Sequence, residues 1–73
     1  PYIFQKKGRD IIKIGDVKNV ANLRQTKQLI DILKTAQKNN IIPKLIIDKK
    51  TKIAPKQQSW FKQNFNIVKK KLR

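Results

Sequence analysis

Apolar and polar positions alternate along residues 11–20, which is typical of a β-strand, and a short apolar run and a polar stretch precede them. Residues 2–4 predict a short strand, and the polar stretch QKKGRD after it predicts a turn in which Gly8 can adopt a positive φ angle. Residues 11–20 predict a second strand. One face of it would carry Ile12, Ile14, Asp16, Lys18 and Val20. Ile11 and Val17 would point to the other face, so this strand is predicted to be central in its sheet.

A helical period follows in the segment NLRQTKQLIDILKTAQKNN, residues 22–40. Its apolar residues follow the i, i+3, i+4, i+7 spacing of an amphipathic helix: Leu29, Ile32, Leu33 and Ala36, with Ile30 widening the stripe. Asn39 and Asn40 predict the end of this helix, because asparagine tolerates the left-handed conformation of a C-cap.

The remainder of the chain predicts a buried strand, a basic loop, a second helix and a last strand. The strand is IIPKLIID, the loop is KKTK, and Pro55 is suited to the first turn of a helix that ends near Asn64. Trp60 and Phe61 are predicted to dock that helix, with stacking on a nucleic-acid base as the alternative. Residues 65–68 predict the last strand, and KKKLR predicts a solvated basic tail in which Lys69 to Lys71 contact phosphate.

The predicted order β-β-α-β-α-β indicates an α/β fold, with a small mixed sheet and two helices. A chain of 73 residues makes a single domain, residues 1–73, with a limited core. No stretch approaches the roughly 18 consecutive apolar residues of a membrane-spanning helix, so no span is predicted.

The charge of the chain predicts a negatively charged partner. Nineteen Lys and Arg against four Asp and Glu give a net charge of +15, which attracts polyanions. Nucleic acid is the first candidate and an acidic protein the second. The chain has no Cys and no His, so a bound metal would need carboxylate, carbonyl and water ligands, which suit Mg²⁺ or Mn²⁺.

The motif Asp16-Val17-Lys18 is the strongest candidate for chemistry. Residues two apart on a strand share a face, so the carboxylate could hold a divalent cation while the ammonium orients a water and offsets phosphate charge. Those groups suit metal-assisted phosphodiester hydrolysis, and Asp10 could supply a second carboxylate where the chain enters the strand. The alternative for an Asp-x-Lys tripeptide in a Lys-rich chain is a surface ion pair.

The segments IGDVKNV, TKQLIDILKTAQKNN, KLIID and TKIAP together resemble nuclease toxin domains of the restriction-endonuclease-like, PD-(D/E)xK superfamily. The similarity covers roughly residues 10–65 and is closest to the toxin tips of contact-dependent or polymorphic toxins. It implies that Asp16 is a metal ligand, Lys18 the catalytic lysine and Asp10 the acid of the first half-motif. The chain departs from the pattern in having Arg9 before Asp10 and a short spacing between the two acids.

The resemblance also bears on the residues around this motif. It implies a contact of Gln28 with the scissile phosphate or a base; an exposed helix residue is the alternative. The remaining candidate phosphate contacts are basic: Arg24, Lys27, Lys49, Lys50 and Lys52. For the lysines of the loop and the tail, solubility is an alternative role.

For the whole protein, the resemblance implies an endonuclease toxin that acts on DNA or tRNA with Mg²⁺, or with Mn²⁺ or Zn²⁺. Such a toxin is carried as the tip of a larger secreted or cell-surface bacterial protein, acts in the cytoplasm of the target cell and is neutralised by an acidic cognate immunity protein. The family has a helix before these strands, so we expect an N-terminally truncated domain: either the helix lies on an upstream segment, or the fragment is incomplete as a catalyst.

Two other functions remain open from the sequence. The chain could be a non-catalytic basic module that binds nucleic acid, or an interaction domain whose basic face meets an acidic protein. Only the nuclease hypothesis explains an acid and a lysine on one strand face beside a polar helix start.

Overall fold

Four strands form one mixed sheet in the computed structural model, which describes residues 2–72. The elements follow in this order: β1 Tyr2–Lys7, β2 Asp10–Lys18, β3 Asn22–Leu23, α1 Lys27–Lys38, β4 Lys44–Asp48, β5 Lys52–Ile53, a 3-10 turn Pro55–Gln57, α2 Gln58–Asn64 and β6 Asn66–Lys70. The strand order is β1-β2-β4-β6, and β3 pairs with β5 in a separate two-stranded sheet. The predicted α/β class, with two helices and a mixed sheet, is confirmed.

The hairpin of β1 and β2 contains an irregularity that the sequence pattern did not predict. Gly8 makes its turn with a φ of +64°. Gln5 pairs with Lys13 but Lys6 pairs with Ile11, so Ile12 is an extra residue on β2. Ile12 is 45% exposed, whereas Ile11 packs against the core. The prediction that Ile12 shares one strand face with Ile14 is therefore wrong, because a bulge interrupts the alternation of side chains.

Both helices cover the same face of the sheet. Strands β2, β4 and β6 are parallel, and α1 and α2 form the two crossovers between them. The core combines residues from both helices, from β2, β3 and β4, and from the residue after α2: Ile14, Leu23, Leu29, Ile32, Leu33, Ala36, Leu45, Ile47, Phe61 and Phe65. β2 lies between β1 and β4, so the prediction that this strand is central is confirmed.

Aromatic residues dock α2 in this core. Phe61 is fully buried, and the Trp60 ring packs edge-on against it with 4.9 Å between ring centroids. Trp60 also contacts Phe65, at 5.4 Å between ring centroids. The docking role predicted for Trp60 and Phe61 is confirmed. The alternative of base stacking is wrong for Phe61, because no face of its ring is accessible.

The first helix begins later than its apolar pattern predicts. The Thr26 hydroxyl accepts a hydrogen bond from the Leu29 backbone N–H at 3.2 Å, which makes Thr26 the N-cap and Lys27 the first helical residue. Asn22 and Leu23 pair instead with β5. The predicted end is confirmed, since Asn39 is the C-cap and Asn40 has a φ of +57°.

Asp48 holds the C-terminal segment to the end of β4. Its carboxylate accepts hydrogen bonds from the backbone N–H groups of Lys50, at 2.9 Å, and Leu72, at 2.8 Å. The residue is 3% exposed, and it ends β4 where the predicted strand IIPKLIID also ends. The lysines of the predicted solvated tail KKKLR are exposed, but Lys69 and Lys70 belong to β6 and not to a tail; Arg73 lies outside the described residues.

Gly15 allows β4 to approach β2 closely. A Cβ atom built at this position would overlap the Lys44 carbonyl oxygen, which belongs to the backbone and cannot rotate away. Since Gly15 and Lys44 are register partners in the parallel pair, a side chain here would push the strands apart next to Asp16.

We predict that Gly15→Ala lowers the free energy of unfolding by about 1–3 kcal/mol, the usual effect of forcing extra atoms into a packed site. The measurement is urea denaturation followed by circular dichroism. The control is Lys13→Ala, an exposed position on the same strand, for which we expect a change within about 0.5 kcal/mol. Equal unfolding midpoints for the two variants would contradict the prediction.

Candidate active site

Strand β2 places Asp16 and Lys18 on the face of the sheet that α1 covers. Their register partners on β4, Leu45 and Ile47, are both core residues. Asp16 is 3% exposed, and its Oδ1 accepts a hydrogen bond from the Val17 backbone N–H at 2.8 Å. Lys18 Nζ lies 3.3 Å from Asp16 Oδ2. The ion pair expected of an Asp-x-Lys motif is therefore present, but its acid is buried rather than on the surface.

Gln28 is the third member of this cluster. Its Oε1 accepts a hydrogen bond from Lys18 Nζ at 2.8 Å, across the gap between β2 and the first turn of α1. An ammonium has three N–H donors; one of them makes the hydrogen bond to Gln28, and the contact with Asp16 is an ion pair. The side chain of Lys18 is 25% exposed, so its charged end is held in place at a surface that solvent can reach.

The structure does not bring Asp10 to this cluster. Asp10 is the first residue of β2, exposed and paired in register with Lys7 beside the hairpin turn. Six residues of extended chain separate it from Asp16, which corresponds to about 20 Å. One ion cannot contact both carboxylates over this distance, so Asp10 does not belong to the cluster of Asp16, Lys18 and Gln28.

The residues at this site offer a Mg²⁺-like ion one carboxylate ligand, that of Asp16. Between residues 2 and 72, no group of three or more Asp, Glu, His or Cys side chains is arranged to hold a metal. Mg²⁺ is commonly bound by only one or two carboxylates, with water and substrate phosphate completing its coordination. Asp16 can be that one carboxylate. Its Oδ2 is buried beside the Lys18 ammonium, so a cation at this oxygen would compete with Lys18.

The edge of the sheet at which the parallel strands end is strongly basic. β2, β4 and β6 end at Lys18, Asp48 and Lys70, and parallel α/β sheets bind ligands outside the carboxyl ends of their strands. Five of the basic residues predicted to contact phosphate lie in segments that leave or follow this edge: Arg24, Lys27, Lys49, Lys50 and Lys52. Their contact with nucleic acid stays a prediction.

Hydrogen bonds hold the segment between β2 and α1 at this edge. The Thr51 hydroxyl donates to the Val20 carbonyl at 2.6 Å, and the Gln25 N–H donates to Gln57 Oε1 at 2.7 Å. Arg24 lies in this segment, where it lines a cavity of about 140 Å³ together with Lys18. The loops thus bring a second cation close to the Asp16–Lys18 pair.

Two grooves contain residues that the sequence did not single out for this site. Lys62 of α2 lines a groove of about 420 Å³ with Lys52 and Lys69. Tyr2 lines another, of about 430 Å³, with Lys27 and Gln28 of α1. No local pattern identifies these two residues, because packing of distant segments brings Lys62 beside Lys52 and Tyr2 beside Gln28.

Comparison with known proteins identifies one family. A family model described as restriction endonuclease fold toxin 7 matches residues 5–56, which include Asp16, Lys18 and Gln28. Neither the curated proteins nor the solved structures gave a match. In the part of the chain that the structure describes, neither helix is long and apolar enough to cross a membrane.

We predict that Lys49→Gln combined with Lys50→Gln weakens nucleic-acid binding about tenfold. The negative slope of log K against log salt should become shallower by about 1.5, because the two lost phosphate contacts no longer release counterions on binding. Fluorescence anisotropy in EDTA at several salt concentrations measures both quantities.

The matched control is Lys7→Gln combined with Lys38→Gln, which removes the same charge at the opposite edge of the sheet. We expect the affinity of this control to fall less than about threefold, because long-range attraction is screened by salt. Equal losses in both double variants would show that only the net charge matters.

Proposed function

The chain belongs to the restriction endonuclease fold toxin family, and we propose that it is a metal-dependent endonuclease that hydrolyses phosphodiester bonds of nucleic acid. The observation that carries the proposal is the Lys18 ammonium, held between the Asp16 carboxylate and the Gln28 amide oxygen at the carboxyl edge of the sheet. All three residues lie within the segment that matches the family.

In this proposal Asp16 holds the divalent cation, with Mg²⁺ favoured and Mn²⁺ or Zn²⁺ as alternatives. Such an ion lowers the pKa of a bound water and stabilises the charge that develops on phosphate oxygens. Lys18 would orient the attacking water and offset the charge of the scissile phosphate, because its hydrogen bond to Gln28 Oε1 keeps the ammonium at the site when a cation takes Asp16 Oδ2. Gln28 positions Lys18, and Arg24 and Lys27 bind the flanking phosphates.

We extend the proposal to the role of the protein as a toxin. The substrate is DNA or tRNA of a competing cell, reached after delivery at the tip of a larger secreted or cell-surface protein, and an acidic immunity protein blocks the site. The net charge of +15 supports such a partner, since opposite charge speeds association and a bound partner stabilises a small domain.

A non-catalytic nucleic-acid-binding module is the second candidate. What favours it is that, within residues 2–72, only one buried carboxylate lies at the candidate site and no set of three potential ligands is assembled. Digestion of plasmid and total tRNA with and without EDTA separates the candidates. A nuclease cuts one of them only when the metal is present, a binding module shifts the mobility without cutting, and an interaction domain for acidic proteins does neither.

We predict that Asp16→Asn lowers the rate of cleavage at least about 100-fold, which corresponds to about 2.7 kcal/mol of lost transition-state stabilisation. The substitution removes the metal-binding charge with little change of shape. Single-turnover cleavage is the measurement, and circular dichroism checks the fold. Binding should be kept or become tighter, because one negative charge near the phosphate is gone. A variant that cuts at the parent rate would rule out Asp16 as the metal ligand.

We predict that Lys18→Arg removes most of the cleavage while nucleic-acid binding is kept. Arginine preserves the charge, but its larger forked group cannot replace a compact ammonium between Asp16 and Gln28. Lys50→Arg is the matched control at an exposed position, and we expect it to change neither quantity. Cleavage rates and nucleic-acid binding constants of both variants test this prediction. Full cleavage activity of Lys18→Arg would show that Lys18 has no catalytic role.

A further inference from the structure

Two exposed aromatic side chains form a stack on the edge strand β1. The rings of Tyr2 and Phe4 are 5.9 Å apart between centroids and inclined by only 17°. They are 53% and 44% exposed, respectively, unlike the aromatic residues that dock α2. Lys6 Nζ lies 5.7 Å from the centroid of the Phe4 ring, which adds a cation to one end of the stack.

The register of the hairpin places this stack beside the candidate active site. Tyr2 pairs with Asp16, and Phe4 pairs with Ile14. Directly opposite residues of an antiparallel pair project to the same face of the sheet. Tyr2 and Phe4 therefore lie on the face that carries Asp16 and Lys18, one strand away from them.

A groove connects the stack with the site. Tyr2 forms one side of it, and α1 forms the other with Lys27, Gln28, Asp31, Ile32 and Thr35. Gln28 also accepts the hydrogen bond from Lys18, so a molecule in the groove lies next to the ammonium. Asp31 disfavours a phosphate within the groove and can accept hydrogen bonds from the amino groups of a base. The groove thus suits the uncharged part of a nucleotide, with its phosphate toward Lys27 and Lys18.

We propose that Tyr2 and Phe4 form a stacking platform for unpaired nucleobases and that the substrate is therefore single-stranded or looped nucleic acid. The inference rests on the proposed function, because cleavage at Asp16 and Lys18 is the reason for a nucleotide to lie here. Bases in a duplex stack on one another and offer no free face to Tyr2. Unpaired bases stack on aromatic side chains whatever their identity, so the platform selects for strand state and not for sequence.

The test is fluorescence anisotropy in EDTA with three probes of about 12 nucleotides: a single strand, its duplex, and an abasic strand with the same number of phosphates. We expect the parent protein to bind the single strand at least about tenfold more tightly than the abasic strand. Tyr2→Leu combined with Phe4→Leu should lose this preference while keeping its affinity for the duplex and for the abasic strand within about threefold.

Two controls separate stacking from general effects. Tyr2→Phe keeps the ring and should keep the affinity for the single strand. Ile42→Ala removes an apolar side chain that is 74% exposed, away from the groove, and should change nothing. Equal binding of the single strand and the abasic strand by the parent would overturn the proposal, even if the double variant failed to fold. Equal losses for all three probes in the double variant would also overturn it.

The outcome is independent of whether the chain cuts nucleic acid, because no metal is present during binding. A preference for unpaired bases without Asp16-dependent cleavage would leave the platform in place and remove the nuclease proposal. Asp16-dependent cleavage without that preference would keep the nuclease and remove the platform.

Discussion

The contact of Lys18 with Asp16 and Gln28 joins the sheet to the first helix at the point on which the candidate chemistry depends. Side-chain entropy normally keeps the ammonium group of a lysine mobile. Here the Asp16 carboxylate and the Gln28 amide oxygen hold the Lys18 ammonium in one position. The carboxylate is buried, so the attraction is less screened than in a surface pair. Sheet, helix and site are thereby coupled, and a shift of α1 relative to β2 would displace the ammonium.

The chain has four acidic residues and a net charge of +15. Two of the four, Asp16 and Asp48, are buried, and each binds backbone N–H groups at or near the carboxyl end of a parallel strand. Asp48 accepts from two backbone donors and so closes the loop after β4 against the C-terminal segment. The basic residues around this edge are left with their charge facing outward, which is the arrangement expected for a phosphate-binding surface.

The carboxyl edge of the sheet, where the candidate site lies, is assembled from segments that are far apart in the chain. Tyr2 begins β1, Lys18 ends β2, and Gln28 belongs to the first turn of α1. Parallel pairing of β2, β4 and β6 sends their ends to one edge, and Gly15 lets β4 lie close beside β2. Gly15 thus sets how closely β4 lies beside β2, and the hydrogen bonds of the connecting segments hold Arg24 where it lines a cavity with Lys18.

The sequence by itself determined the class of fold, the order of the main elements and the Asp16–Lys18 motif, because periodicity and strand alternation are local properties. The resemblance carried by four short segments identified the family, which the match to residues 5–56 bears out. Only the tertiary structure decided that a bulge exposes Ile12, that Asp10 lies exposed beside the hairpin turn, and that Tyr2 lines a groove with Gln28. Strand register and packing between distant segments set those positions, and neither leaves a signal in a local stretch of residues.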